Sequence, residues 1–105
     1  MVSKKIKALA IYPGRKTEEI EIEDTLEALQ EFVGGDIEEI RCPWASRTYF
    51  VLNENGKGMR LPFNFFIPYD FVVGNCLAVG ESGENYADIT DDAVAKIKHQ
   101  IGMQW

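Results

Sequence analysis

The 105-residue sequence holds one histidine, two cysteines and four prolines, and no apolar run near the roughly 20 residues that cross a bilayer. Each scarcity excludes a class of function. With His99 the single imidazole and Cys42 and Cys76 far apart, a Cys/His zinc tetrahedron cannot be assembled within one chain, and no stretch has the spacing of an EF-hand loop, so neither metal nor cofactor is expected. Two cysteines cannot staple a small secreted scaffold, and both are expected to be reduced. The opening Met-Val-Ser-Lys-Lys-Ile-Lys leads into only five apolar residues, Ala8 to Tyr12, too few for a secretory signal. A cytoplasmic protein with no membrane partner is the expectation.

Catalytic constellations are equally scarce. His99 is the only imidazole that could activate a nucleophile, and it falls on a terminal helix among lysines. Arg41 could lower the thiol pKa of Cys42, but a small buried strand residue is the commoner meaning of such a cysteine. Asn55-Gly56-Lys57-Gly58 lies between strands, and Gly80-Glu81-Ser82-Gly83 is flanked by acids that would repel phosphate, so neither glycine run makes a phosphate loop. No enzyme is expected.

What is present, with 46% hydrophobic residues, is material for one compact domain over residues 1–105. Lys5–Tyr12 reads as a strand, turning at Pro13-Gly14 into a second in which Glu19, Ile20, Glu21, Ile22 and Glu23 alternate with period two. Asp24 is placed as the N-cap of a helix whose Leu26, Leu29 and Val33 form a buried stripe, stopped by Gly34-Gly35. Strands are read at Asp36–Cys42 and Arg47–Asn53. A further strand at Gly58–Leu61 is expected across a tight Asn55-Gly56 turn with positive φ. After an aromatic stretch read as an ordered loop or edge, since Pro68 cannot donate to a ladder, come strands at Val72-Val73, Cys76–Val79 and Tyr86–Ile89. Thr90 caps a last helix with Val94, Ile97 and Ile101 on one side. The fold class is α+β: a mainly antiparallel sheet of short strands with two helices, one internal and one C-terminal, covering one face.

Charge is unevenly placed. Residues 18–39 contain ten acids and no base, while the remainder has eleven bases and seven acids, so a net charge of −6 divides into −10 and +4. Glu19, Glu21 and Glu23 share one side of a strand, and Glu27 and Glu31 are helical neighbours, which points to an acidic face that engages a basic protein surface. Direct nucleic-acid binding is disfavoured by the net charge. A second surface is aromatic: Trp44, Arg47, Tyr49, Arg60, Phe63 and Phe65 could enclose a nucleotide-like ligand, arginines on the anion and rings on the base. The apolar stripe of the last helix continues through Met103 to Trp105, which favours a homodimer or a tied-down tail.

The order Thr25-Leu26-Glu27-Ala28-Leu29-Gln30, Val33-Gly34-Gly35, Asn53-Glu54-Asn55-Gly56-Lys57, Leu61-Pro62-Phe63-Asn64, Val73-Gly74-Asn75 and Asp88-Ile89-Thr90-Asp91 resembles a family of small proteins from phages, plasmids and integrated elements, a domain of unknown function. The likeness covers about Lys5 to Ile101. It implies an accessory protein that binds and blocks a host component, and it transfers no catalytic residue.

Overall fold

A computed structural model describes residues 4–104. The elements are β1 (Lys5–Ile11), β2 (Glu18–Glu23), α1 (Leu26–Val33), β3 (Ile37–Arg41), β4 (Thr48–Asn53), β5 (Phe63–Ile67), β6 (Asp70–Val73), β7 (Cys76–Ser82), β8 (Asn85–Ala87) and α2 (Asp91–Gly102). Six strands make one antiparallel sheet in the order β2-β1-β7-β4-β3, with β8 paired to the far end of β7, and β5–β6 is a separate two-stranded hairpin. The α+β class stands, with one internal and one terminal helix.

The helices do not share a face, contrary to the expectation from sequence. α1 lies over Ile6, Ala8, Ala10, Val51, Leu77 and Val79. α2, together with Phe65 and Val72 of the hairpin, covers Leu9, Ile11, Phe50, Leu52, Cys76 and Ala78 on the other. The cause is visible in β1 and β7, whose Ala8-Leu9-Ala10-Ile11 and Cys76-Leu77-Ala78-Val79 are apolar at consecutive positions and buried throughout. A strand with apolar residues on both sides needs a cover on both.

Local chemistry sets the joints. Asp24 extends the first hairpin by donating its amide to the Lys4 carbonyl, so the cap of α1 falls one residue later, on Thr25, whose hydroxyl accepts from the Ala28 amide at 3.2 Å. Gly34 ends that helix in the left-handed region at φ 81°. Leu29 and Val33 are buried, but Leu26 is 58% exposed. Helical periodicity fixes the angle about the axis, not whether anything lies beneath that turn.

The expected strand at Gly58–Leu61 does not form. Asn53 is buried at the end of β4, where its side chain donates to the Val33 carbonyl and accepts from the Asn55 amide. The following residues then wind: the amide of Met59 donates to the carbonyl of Asn55 and that of Leu61 to Gly56, with Arg60 in the left-handed region at φ 57°. Neither Asn55 nor Gly56 takes positive φ. An asparagine that caps a turn through its own side chain competes with the tight hairpin such a sequence otherwise suggests.

The hairpin is fastened to the sheet by a bulge. The register shifts between Phe63 and Phe65, which turns both Asn64 and Phe65 inward. Asn64 Nδ2 donates to the carbonyls of Ile11 (2.9 Å) and Gly74 (2.8 Å), and Phe65 meets Phe50 at 5.3 Å between ring centroids. Pro68 occupies the two-residue turn between Ile67 and Asp70, outside the ladder.

Candidate functional site

The acids expected to act together are divided by the pleat. Ile20 and Ile22 face α1, so Glu19, Glu21 and Glu23 point to the α2 side, whereas Glu27 and Glu31 ride on α1 over the opposite side. The strand trio also has basic neighbours: Glu23 lies directly across from Lys5 and Glu21 from Lys7, and Glu19 meets Lys98 of α2 at 4.0 Å. The five glutamates are exposed, but they form two patches, and the larger is interleaved with lysine.

The aromatic and arginine set is likewise dispersed. Trp44 and Phe65 belong to the α2-side core, where Trp44 packs against Phe50 and Phe65 at 6.0 Å each. Tyr49 lies on the α1 side, near Tyr86. Arg47 approaches Glu81 at 3.8 Å, Arg60 is exposed on the winding loop, and Phe63 is on the outer surface of the hairpin. A single ligand pocket from these six residues is excluded by their placement on different sides of the sheet. Trp105, expected to be tied down, lies outside the described residues. Gln104 just before it is held, giving its amide to the Phe66 carbonyl and accepting from the Phe66 amide, so it satisfies that point on the β5 edge.

What converges instead is a groove of about 720 Å³ between β3 and the hairpin. Ile40, Leu52, Ile67 and Phe71 give it apolar walls, and Glu38 and Glu54 bring acid to it. Tyr69, 95% exposed, stands at the hairpin turn. Lys57 closes one part by pairing with Asp70 and lying 4.4 Å from the centre of the Phe71 ring; that bond and the Phe71 amide hold the Asp70 carboxyl below its usual range. On the hairpin's outer surface Phe63 packs with Phe66 (4.8 Å) and Phe71 (6.2 Å), all three exposed. Alternation along Phe63–Phe71 was the available signal for this outward set, but the bulge at Asn64 reverses the phase and hides it.

Across the sheet, the end of the α1 side left beyond the helix is polar. Tyr49 donates to Glu81 and is met by Arg41, and Tyr86 donates to Glu39. Both phenols are raised above the ordinary tyrosine value, Tyr49 chiefly by its bond to Glu81 and Tyr86 chiefly by burial and then by Glu39. An unfolded tyrosine ionises near pH 10, and the folded one later, so the folded state holds more protons above that point. Stability is therefore expected to be fully present below about pH 10 and to fall as pH rises through the folded values. Denaturant titrations from pH 8 to 12 check this: the fall should be shallower in the double variant Tyr49→Phe/Tyr86→Phe, and an unchanged slope would refute the assignment.

A family model described as Domain of unknown function (DUF3846) matches residues 6–102. The chain belongs to this family. No curated protein and no solved structure matches it. The matched residues run from β1 to the end of α2, so the groove and the hairpin lie wholly inside the DUF3846 domain.

Proposed function

We propose that this DUF3846 domain is a non-catalytic protein-binding module that receives a basic, apolar partner in the groove between β3 and the β5–β6 hairpin. The observation that carries the reading is the pairing of an exposed aromatic hairpin with a groove whose apolar walls are edged by two acids outside any ion pair, Glu38 and Glu54, against one such base, Arg41, once Lys57 and Asp70 have neutralised each other. Exposed aromatic clusters of this kind mark interaction surfaces, and acids beside them select basic partners. The same acids disfavour a nucleotide-like ligand. A non-catalytic role is supported by the state of the reactive groups. Burial raises the thiol pKa of Cys42 and, more strongly, of Cys76, and His99 is exposed on α2. The resemblance to phage and plasmid proteins supplies the class of partner, a host component in the cytoplasm, and the apolar hairpin is also where a homodimer would form.

Site-specific photo-crosslinking tests the reading. A photoreactive residue at Tyr69 or Phe66 is expected to capture a basic host protein, and capture should be lost in Phe71→Ala yet persist in Glu27→Gln/Glu31→Gln. Capture that follows the α1 glutamates would move the site to that helix. Adducts of twice the chain's mass alone would make the hairpin a self-association surface.

A further inference from the structure

We propose that the partner enters this groove as an extended strand that adds to the free edge of β3, with a basic side chain opposite Glu39 flanked by apolar side chains that point into the groove. The proposal rests on the protein-binding reading and names its mode.

The edge follows from two backbone bonds. Glu54 donates its amide to the Asp36 carbonyl, and Cys42 donates to the Thr48 carbonyl, while the register pairs Ile37 with Asn53 through Arg41 with Tyr49. Antiparallel ladders alternate, so Glu38 and Ile40 also bond to β4, and Ile37, Glu39 and Arg41 turn their N–H and C=O groups outward. β3 ends the sheet order, and among the described residues none of these three amides or carbonyls has a partner on its outer side. Sheet edges are ordinarily blunted by lysine, proline, a bulge or a cover. β3 is short and carries charge at Glu38, Glu39 and Arg41, which makes the edge selective for charge, but it has no lysine, proline or bulge: its register is continuous, and Pro43 comes only after its last residue. The β5 edge, by contrast, is occupied at Phe66 by Gln104. An incoming strand would find three donors and three acceptors, the main-chain recognition used in strand addition.

Side chains set the occupant's chemistry. On the α2 side, a strand next to β3 places alternate residues beside Glu38 and Ile40, where the groove offers Ile67 and Phe71. On the α1 side it places them beside Ile37, Glu39 and Arg41. Glu38, Glu39 and Glu54 are in no ion pair among the described residues, and Arg41 is the single base on β3. A second copy pairing β3 with β3 about its centre would set Glu39 against Glu39, and directly opposed like charges destabilise a pair. A foreign strand of apolar-basic-apolar pattern has no such conflict.

The test uses the full chain and an acetylated, amidated heptapeptide Val-Thr-Val-Lys-Val-Thr-Val, with its single lysine at the position opposite Glu39 and no base opposite Arg41, and two controls: the same peptide N-methylated at alternate backbone nitrogens, and one with glutamate for lysine. Saturating Val/Lys peptide is expected to slow amide hydrogen exchange at Ile37, Glu39 and Arg41 by roughly tenfold or more, with both controls failing to do so. Glu39→Pro removes one outward donor and the carboxylate opposite the lysine without touching a bond to β4 and should weaken binding by about tenfold or more, equivalent to about 1.4 kcal/mol, whereas Glu39→Gln keeps the donor and should retain the amide protection while narrowing the preference over the glutamate peptide. Should that variant misfold, the N-methylated peptide still decides. Binding that perturbs the groove but leaves the three amides unprotected would overturn strand addition while sparing the protein-binding reading. Equal binding of the glutamate peptide, or no binding of the Val/Lys peptide at millimolar concentration, would overturn the named occupant. Protection that appears without peptide as the chain is concentrated would give the edge to a second copy.

Discussion

Phe50→Ala is expected to cost about 3–5 kcal/mol, a large part of the 5–15 kcal/mol that stabilises an ordinary domain. Phe50 is fully buried in the central strand pair and joins Phe65 at 5.3 Å and Trp44 at 6.0 Å. Truncation opens a void where three parts of the fold meet: the sheet that carries Phe50, the hairpin that carries Phe65 and the β3–β4 connection that carries Trp44. None of them can collapse into the void without pulling its own element along, so the cost should fall in the upper part of the range. Phe50→Leu, which retains more volume, should lose less than half as much. Urea unfolding measures both, and a loss below about 1.5 kcal/mol for Phe50→Ala would show that the hairpin settles onto the sheet without its aromatic contact.

The second large effect is at Asn64. Asn64→Asp replaces a side chain that donates to the Ile11 and Gly74 carbonyls with one that accepts only, at a position 2% exposed. Two carbonyls lose their partner, at about 1–3 kcal/mol each, and a carboxylate is buried against them. The expected loss at pH 7 is of the order of 3–5 kcal/mol, through release of the hairpin. The pH dependence distinguishes this from simple cavity formation. The introduced carboxyl has its pKa raised in the folded state, so the deficit is smallest below about pH 4, where the unfolded chain is protonated as well, and it grows as pH rises. A deficit that does not change between pH 3.5 and 7 would sink the explanation.

How far the sequence carried differs by element. The β1–β2 pairing, the Thr90 cap, the Gly34 stop and the strands from Ile37 to Asn53 were legible because each depends on neighbours in the chain: a period of two, a capping side chain, a glycine at positive φ. The two-sided cover is also written in Ala8–Ile11 and Cys76–Val79, apolar at every position, but an apolar run identifies a strand without identifying which later element covers its second side. The acidic face failed for a related reason. Glu19 to Glu23 and Glu27 to Glu31 are near in sequence, and the sheet between them puts them apart. The groove was out of reach, since its walls come from two hairpins, β3–β4 and β5–β6, that lie in separate sheets and do not pair with each other. Asn64, which ties the hairpin to the sheet by two hydrogen bonds, looks like any polar residue in an aromatic run until the bulge turns it inward.

β7 lies at the middle of the sheet and seventh among the strands, between β1 and β4. The β1–β2 and β3–β4 hairpins each form from nearby residues, yet no bond joins one to the other without Cys76–Ser82. During synthesis these two ribbons therefore stay unjoined, and the strand that joins them comes after the aromatic hairpin. Contacts spanning that much chain slow folding, because the entropy of closing a long loop is lost before the contacts form. Until β7 emerges from the ribosome, β1 and β4 each present an apolar edge to the cell, and the nascent chain is most prone to the wrong partner just before it completes its own sheet.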